Sequence, residues 1–345
     1  MTVVSRRCES WLNRVWYGDS WWYLALLPLS WLYRGASSLR RTLYRKGVLR
    51  SCRVGVPVIV VGNVTLGGTG KTPLTILLAQ ELKQRGYSPG IVSRGYRGKV
   101  GPVPVLVSAD SDPTLVGDEA ILLSKHCACP VVVHPDRVAA ARVLKEQAVD
   151  VIIADDGLQH YRLDRDMEIA VVDGTRMWGN QQILPAGSLR EPVSRLRHVH
   201  HVLVQTESGS IRIPGLMQET PVSLFSLRPS VAHSLDGAET RLMDTFKGTR
   251  VHGVAAIGNP DRFFDMLEKL GMDVVRHAFS DHAALTAADL TFDEPHDVIM
   301  TEKDAVKCRG LDRNNFWYIP VDAVISDSPG ISLIEQMETL IKAYE

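Results

Sequence analysis

Residues 57–72 read PVIVVGNVTLGGTGKT, an apolar run followed directly by a glycine-rich turn that ends in Lys71 and Thr72. The apolar residues predict a buried strand, and the glycines allow backbone N–H groups to turn inward around phosphate oxygens. A helix that begins near Lys71 would point its positive end at the same place. The stretch therefore predicts a P-loop, and with it a nucleotide triphosphate as ligand.

The predicted nucleotide-binding residues are consecutive: Thr65, Leu66, Gly67, Gly68, Thr69, Gly70, Lys71 and Thr72. We expect Lys71 to reach the β- and γ-phosphates and the Thr72 hydroxyl to hold Mg²⁺. Thr65 departs from the usual pattern, which has glycine at that position. The order of strand, loop and helix matches the pattern, so phosphate binding remains the prediction.

The composition is that of a folded protein, with 45% hydrophobic and 23% charged residues over 345 positions, enough for two domains. A net charge of zero argues against nucleic acid as a partner. The five cysteines are odd in number and lack a C-x-x-C pair, which favours reduced thiols. Cys127 and Cys129 are a candidate metal pair, but no second pair accompanies them, so we interpret them as thiols.

The N-terminus concentrates tryptophan, with five of the seven tryptophans in the first 31 residues. The apolar run at residues 21–33 would be about 20 Å long as a helix, which is short of the roughly 30 Å of bilayer hydrocarbon. Only basic charges follow it before the P-loop strand. This pattern predicts an amphipathic helix on an anionic membrane surface, and the alternative is a helix packed on the protein's own core.

Short apolar strands alternate with helical patterns after the P-loop, which predicts an α/β fold with a mainly parallel, P-loop NTPase-like sheet. The predicted strands are residues 90–93, 103–107, 131–134, 151–154, 169–172 and 201–205, and the predicted helices are residues 74–85 and 136–147. Beyond residue 250, further strands and a helix at residues 260–270 predict a second, smaller α/β domain. The predicted divisions are a membrane-associating segment (1–53), a P-loop core (54–215), a linker (216–249) and the smaller domain (250–345).

Several polar residues are candidates for phosphate chemistry. Asp155 and Asp156 end a buried strand in VIIADDGLQH, as in a Walker B carboxylate that holds Mg²⁺, although Asp-Asp-Gly is also ordinary turn chemistry. Asp118 begins a helical pattern, as either an N-cap or a general base. Asp281 and His282 offer an acid–base pair in the second domain.

The remaining candidates lie in loops and turns. Arg190, followed by Glu191 in LPAGSLREP, is a candidate phosphate clamp. The HVHH stretch at residues 198–201 would place His198 and His200 on one face of a strand, but a third metal ligand is missing. TEKDAVK predicts that Thr301 caps a helix with Asp304.

The ordered set TLGGTGKTP, SRGYRGK, GDEA, HPDR, ADDGLQHYRL, LPAGSLREP, SDH and MTEKDAVK, after a Trp-rich N-terminus, resembles the tetraacyldisaccharide 4′-kinase family of lipid A biosynthesis in Gram-negative bacteria. The resemblance covers nearly the whole chain. It implies transfer of the γ-phosphate of ATP to the 4′-hydroxyl of a lipid-linked disaccharide at the cytoplasmic face of the inner membrane. It implies no nucleic-acid or protein partner.

The resemblance also implies roles for individual residues. Residues 65–72 would form the ATP loop, Asp155 and Asp156 the Mg²⁺ region, and Arg190 would lie near the transferring phosphate. Asp118 with His282 would be the acid–base pair. The roles of Tyr96, Glu119, Glu191 and the histidines at 198, 200 and 201 stay open.

Two other functions fit parts of the sequence. A membrane-associated P-loop ATPase switch would share the glycine loop, but many such switches carry a lysine where this chain has Leu66. A soluble kinase of a small metabolite would not need the tryptophan- and arginine-rich terminus.

Overall fold

The computed structural model describes residues 11–344 except residues 19, 209, 210, 212, 217–219, 282, 309, 312, 313 and 327–331. The chain forms two compact units. The larger unit comprises the described residues of Arg7–Leu227 and Ala323–Glu345, and the smaller unit comprises those of Arg228–Asp322. Each unit has its own sheet.

The sheet of the larger unit has nine strands among the described residues, and its strands are mainly parallel, as predicted. In chain order they are β1 (Val58–Gly62), β2 (Pro89–Ser93), β3 (Val105–Val107), β4 (Val131–Val133), β5 (Val151–Asp155), β6 (Met167–Asp173), β7 (His201–Gln205), β8 (Val222–Pro229) and β15 (Val321–Ser326). Across the sheet the order is β15-β8-β7-β6-β1-β5-β2-β4-β3, and β3 runs antiparallel to β4. Every residue of β1 and β5 is buried, so these central strands need no polar face.

Helices surround this sheet. They are α1 (residues 11–17), α2 (Tyr23–Arg45), α3 (Lys71–Gln84), α4 (Pro113–Val116), α5 (Asp118–Cys127), α6 (Arg137–Glu146) and α9 (Leu333–Lys342). The chemistry of the caps sets several of the boundaries. The Asp136 side chain accepts from the Val138 N–H at the start of α6, and Ser332 and Glu335 form a capping box at the start of α9.

The smaller unit has a six-stranded sheet. Its strands are β9 (Ala232–Ser234), β10 (Thr240–Arg241), β11 (Arg250–Ala255), β12 (Asp273–Ala278), β13 (Asp297–Thr301) and β14 (Phe316–Ile319), in the order β10-β9-β14-β13-β11-β12. Its helices are α7 (Pro260–Lys269) and α8 (Glu302–Ala305). Thr301 caps α8 by accepting from the Asp304 N–H, which confirms the predicted cap.

The observed units differ from the predicted divisions at two places. Residues 228–249 were expected to be a linker, but β9 within them pairs with β14 and joins the smaller sheet. Helix α9 was assigned to the smaller domain, but it belongs to the larger unit. It buries Met337 and Ile341, and its Glu338 lies 3.4 Å from Arg85 at the end of α3. Burial of this apolar face decides the placement, and the chain order does not reveal it.

Helix α2 extends through the predicted apolar run into the basic segment. The side chains of Trp21, Trp31 and Leu32 are 63%, 65% and 71% exposed, so these three apolar side chains do not pack on the described core. Ser30 is the buried residue of this helix, and its hydroxyl donates to the Ile183 carbonyl at 2.8 Å. No helix in the described part of the chain combines the length and apolarity needed to span a membrane.

Candidate active site

The glycine loop joins β1 to α3 and depends on backbone conformations that favour glycine. Gly67 has a φ of 108° and Gly70, which precedes α3, has a φ of 83°. Side chains at such angles are strained. A Cβ at Gly67 or Gly68 would meet no atom within 4 Å, so the loop faces open space.

Neighbouring groups fix the loop but leave its inner N–H groups available. The Leu66 N–H donates to the Ser188 carbonyl at 2.7 Å, and the buried Asn63 amide lies 3.4 Å from both the Gly67 carbonyl and the Thr69 hydroxyl. Thr65 is buried and pairs with Leu189. Within the described residues, the N–H groups of residues 67–70 have no acceptor. Four adjacent donors at a helix N-terminus form an anion-binding surface.

The acidic pair lies directly beside this loop. Strands β1 and β5 are parallel neighbours, and their register pairs Val61 with Asp155. Asp155 Oδ1 accepts from the Thr75 hydroxyl of α3 at 3.2 Å. Thr72 lies one turn earlier on the same helix face. The predicted residues Thr72 and Asp155 are therefore on adjacent elements at one edge of the sheet.

Asp156 is surrounded by cationic side chains. Lys71 Nζ lies 3.7 Å from its Oδ1, and Arg190 Nη1 donates to both carboxylate oxygens at 3.0 Å. Arg137 Nη1 donates to its backbone carbonyl at 2.7 Å. Burial alone would raise the pKa of Asp156, but the charges of Lys71, Arg190 and Arg137 hold it well below its usual range. Asp156 is therefore ionised at neutral pH.

Asp155 is perturbed in the opposite direction. Burial raises its pKa to about 7, and the negative charges of Glu119 and Asp156 add to this effect. Two adjacent carboxyl groups with opposite pKa shifts are typical of a functional site.

Asp118, the predicted base, is the first residue of α5 and is 5% exposed. Its Oδ1 accepts from the Glu119 N–H at 2.9 Å, and the N-cap position belongs to Gly117. The simple N-cap alternative for Asp118 is therefore wrong. Gly117 has a φ of 86°, and a Cβ there would lie 2.8 Å from the Tyr96 carbonyl, so the turn that presents Asp118 requires glycine.

His282 lies outside the described residues, so its predicted pairing with Asp118 stays a prediction. The preceding Asp281 belongs to the smaller unit, where its Oδ1 lies 4.0 Å from Lys303 Nζ.

Glu191 anchors the segment that carries Arg190. It is 1% exposed and accepts hydrogen bonds from the Tyr161 hydroxyl and, at 3.0 Å, from the Gln159 amide. Arg195 Nε lies 4.0 Å from Oε2, the oxygen that the Gln159 amide also contacts. Because these partners occupy both carboxylate oxygens, we interpret Glu191 as a positioning residue.

The histidine stretch does not form the alternative metal face. Strand β7 begins at His201, whereas His198 ends a 3₁₀ turn. His200 Nδ1 accepts from the Glu168 N–H at 3.0 Å, and His201 Nε2 lies 3.0 Å from the Ser223 hydroxyl. The described residues contain no cluster of three His, Cys, Asp or Glu side chains suited to a metal ion.

Three residues of the site were not predicted from the sequence. Asn63 orders the loop, Arg137 reaches the Asp156 carbonyl, and Gln159 links the Asn63 carbonyl to Glu191 at 3.1 and 3.0 Å. Arg137 and Gln159 lie in the motifs HPDR and ADDGLQHYRL, so these motifs could have identified them as site residues from the sequence. Asn63 lies between β1 and the predicted ATP loop, within the stretch 57–72.

Comparisons with known proteins agree with this geometry. A family profile described as tetraacyldisaccharide-1-P 4′-kinase (LpxK) matches residues 22–340. The chain belongs to this family. Tetraacyldisaccharide 4′-kinase of Nitrosococcus oceani is 45% identical over 97% of this chain and 96% of its own. The corresponding protein of Alkalilimnicola ehrlichii is 48% identical over 91% of each chain.

A solved LpxK structure extends the similarity to the fold. LpxK from Aquifex aeolicus, in complex with ATP, matches with a TM-score of 0.76 and 29% identity, over 93% of this chain and 99% of that one. Membership of the tetraacyldisaccharide-1-P 4′-kinase family confirms the resemblance and identifies the chain as a kinase that acts on a sugar hydroxyl. It disfavours both the ATPase switch and the soluble metabolite kinase.

Proposed function

We propose that this chain transfers the γ-phosphate of ATP to the 4′-hydroxyl of a tetraacyldisaccharide 1-phosphate in lipid A biosynthesis. The observation that carries the proposal is the convergence of Lys71 and Arg190 on Asp156 beside a glycine loop with four available N–H donors. Cations and backbone donors in one place are what a transferring phosphoryl group needs, since its charge spreads over several oxygens.

Residues 65–72 would bind ATP. The loop N–H groups would cradle the phosphates, and Lys71 would leave Asp156 to contact the β- and γ-phosphates. The 3.7 Å distance between Lys71 and Asp156 is a loose ion pair, which a phosphate can replace at small cost. The ATP complex of the Aquifex aeolicus relative supports this assignment.

The donor set beside the loop suits Mg²⁺. Thr72, Asp155 and Asp156 offer a hydroxyl and two carboxylates, and Mg²⁺ prefers such oxygen ligands together with phosphates and waters. Mg²⁺ bound by these residues would neutralise charge on the phosphate oxygens. Asp155 is held for this role by its hydrogen bond from Thr75.

Asp118 would accept the proton from the sugar hydroxyl as that oxygen attacks the γ-phosphorus. Arg190 would neutralise charge on the phosphoryl oxygens that face the acceptor. His282 would orient or polarise Asp118. The burial of Asp118 and the glycine turn that presents it support a fixed position for the base.

The lipid acceptor would be reached by peripheral contact with the anionic cytoplasmic face of the bacterial inner membrane. Exposed Trp21 precedes helix α2, the helix itself carries exposed Trp31 and Leu32, and exposed basic residues such as Arg45 and Lys46 follow at its end. Tryptophan favours the headgroup boundary and arginine favours anionic lipid.

Phosphate transfer from labelled ATP to an added tetraacyldisaccharide 1-phosphate tests the proposal, with ATP hydrolysis followed in the same tube. We expect label in the lipid at the 4′ position and little hydrolysis without acceptor. Hydrolysis at the same rate with and without lipid, and no labelled lipid, would instead identify an ATPase.

A further inference from the structure

The turn at the end of α5 holds two thiols that the proposed kinase chemistry does not use. Cys127 is the last residue of the helix, Ala128 adopts the left-handed conformation with φ 46° and ψ 40°, and Cys129 follows. A left-handed non-glycine residue is strained and needs support from its surroundings. A residue in a helical conformation of either hand holds the Cα atoms of its two neighbours about 5.5 Å apart, so the conformation of Ala128 places Cys127 and Cys129 within the Cα range of a disulfide.

Helix α3 supplies that support. Lys83 Nζ donates to the Ala128 carbonyl at 2.6 Å, and Gln80 Nε2 donates to the His126 carbonyl at 3.0 Å. These two hydrogen bonds fix the turn of residues 127–129 to helix α3. They also place the Lys83 charge beside the sulfur atoms.

The two thiols differ in exposure and acidity. Cys127 is 1% exposed, and its contact with Cys129, together with burial, raises its pKa. Cys129 is half-buried, and the contact with Cys127 lowers its pKa, as does the charge of Lys83, although burial opposes them. The arrangement pairs a more acidic, reachable sulfur with a protonated, enclosed one. Reactive cysteines have this environment, with a second thiol in place to resolve the first product.

We propose that Cys129 and Cys127 form a peroxide-oxidisable dithiol, in which Cys129 is the attacking thiolate and Cys127 the resolving thiol. The group recognised is a small hydroperoxide, with hydrogen peroxide as the simplest example. The site lies at the opposite end of α5 from Asp118 and has no part in phosphate transfer.

The chemistry balances in two steps. The Cys129 thiolate attacks one peroxide oxygen, so an S–O bond forms, the O–O bond breaks, and hydroxide leaves to take up a proton as water. The Cys127 sulfur then attacks the sulfenic sulfur of Cys129, so the S–S bond forms and the S–O bond breaks. The oxygen leaves as a second water with the proton of Cys127. The dithiol loses two electrons, and the peroxide gains them.

Trypsin provides a direct test on the full-length protein, because cleavage after Lys125 and Arg137 releases HCACPVVVHPDR with both cysteines. After brief treatment with hydrogen peroxide and alkylation, we expect this peptide to be lighter by two hydrogens and to take up no alkyl group. Cys52 and Cys308 should remain alkylatable under the same conditions. Double alkylation of the peptide after exposure, or oxidation of Cys308 at an equal rate, would overturn the proposal.

Matched variants separate the two roles. Cys127→Ser should stop at a sulfenic acid that a 1,3-dione probe traps on Cys129, whereas Cys129→Ser should leave Cys127 reduced. Lys83→Gln should slow the oxidation about fivefold through loss of a nearby charge, and Lys83→Arg should restore it. Cys308→Ser, a buried thiol in the smaller unit, should leave the oxidation unchanged. Equal oxidation of Cys127 in the Cys129→Ser variant would refute the assigned order.

Discussion

Lys71 in the larger unit and Lys307 in the smaller unit each face an aspartate near the end of a parallel strand. Lys307 Nζ lies 2.6 Å from Asp304, a fully buried carboxylate whose other oxygen accepts from the Ala256 N–H and the Thr301 hydroxyl. Lys71 lies 3.7 Å from Asp156, whose side chain is one-third exposed.

The difference separates a structural lock from a binding site. Oδ2 of Asp304 accepts from the Ala256 N–H after β11 and from the Thr301 hydroxyl, and Oδ1 faces Lys307, in a fully buried position that is closed to a ligand. The partly exposed Asp156 carboxylate is held by the cationic side chains of Lys71 and Arg190 and lies beside a glycine loop with open donors. Similar residues at similar strand ends thus serve stability in one unit and, as we propose, phosphate chemistry in the other.

The largest effect should follow from Lys71→Ala. Loss of the charge at the transferring phosphate should lower kcat by about 10³–10⁵, the range for a cation in that position. The fold should persist, because Lys71 is partly exposed and its ion pair is loose. We would compare kcat with the circular dichroism spectrum and melting curve. A folded variant with near-normal kcat would show that the glycine loop is not the nucleotide-binding site.

Asp118→Ala should lower kcat by about 10²–10⁴ with little change in ATP affinity, as expected for loss of a general base. The control is Asp112→Ala, since Asp112 caps the neighbouring short helix α4. Asp112→Ala should keep kcat near normal. His282→Ala should also lower kcat and combine with Asp118→Ala less than additively, so additive losses would show that the two residues act independently.

Lys307→Ala should act on stability instead. Asp304 would remain buried without its partner, at a cost of about 3–5 kcal/mol in the free energy of unfolding. Hydrogen exchange in β13 and β14 should accelerate, while ATP binding to the larger unit stays unchanged. If Lys307→Ala instead abolished ATP binding and left hydrogen exchange in β13 and β14 unchanged, the proposed structural role of Lys307 would be wrong.

Acid should destabilise the larger unit through His201, which begins β7 and belongs to neither of the two aspartate sites compared above. Burial lowers the pKa of His201 to about 4, below the ordinary value near 6.5. The unfolded chain therefore binds the proton that the native state refuses, so stability present above pH 6.5 is lost as the pH falls towards 4. Between pH 7 and 5 the loss should be about 2 kcal/mol.

Urea unfolding at the two pH values measures this loss, and His201→Gln should show a smaller difference between them. The change in unfolding free energy between the two pH values is compared between the two proteins. Contributions from other titrating groups and any pH-independent cost of the substitution cancel in this comparison. Identical pH dependence in both proteins would exclude His201 as the source.

The smallest effect concerns binding of the protein to the membrane that contains its lipid acceptor. Truncation of the N-terminus would be a poor test, because the buried Ser30 of α2 is bonded to the Ile183 carbonyl. Arg45→Gln leaves this anchor intact and should weaken sedimentation with anionic vesicles about fivefold, equivalent to about 1 kcal/mol. Lys342→Gln, an exposed lysine on α9, is the matched control and should have no effect.

Much of the fold was predictable from local pattern. Strand β7 has the predicted bounds, and α7 ends within one residue of its prediction. Buried strands appear in the sequence as short apolar runs, and amphipathic helices as apolar residues spaced three and four apart. The continuation of α2 to Arg45 was missed, since a solvated basic stretch has no apolar period to reveal it. The assignment of α9 was wrong for another reason, namely that packing partners are set across the chain.

The sequence by itself determined the glycine loop, the Lys71–Thr72 pair and the acidic strand end, since each needs particular residue types at fixed local spacing. Tertiary structure alone decided that Lys71 and Arg190 share the Asp156 carboxylate while Arg137 bonds its carbonyl. It also decided that Glu191 is enclosed and that the ion pair of Asp304 is buried. The physical reason is that charge pairing and burial depend on distances through space between residues far apart in the chain. Local spacing fixes backbone geometry, but only the folded sheet brings those charges within reach of one another.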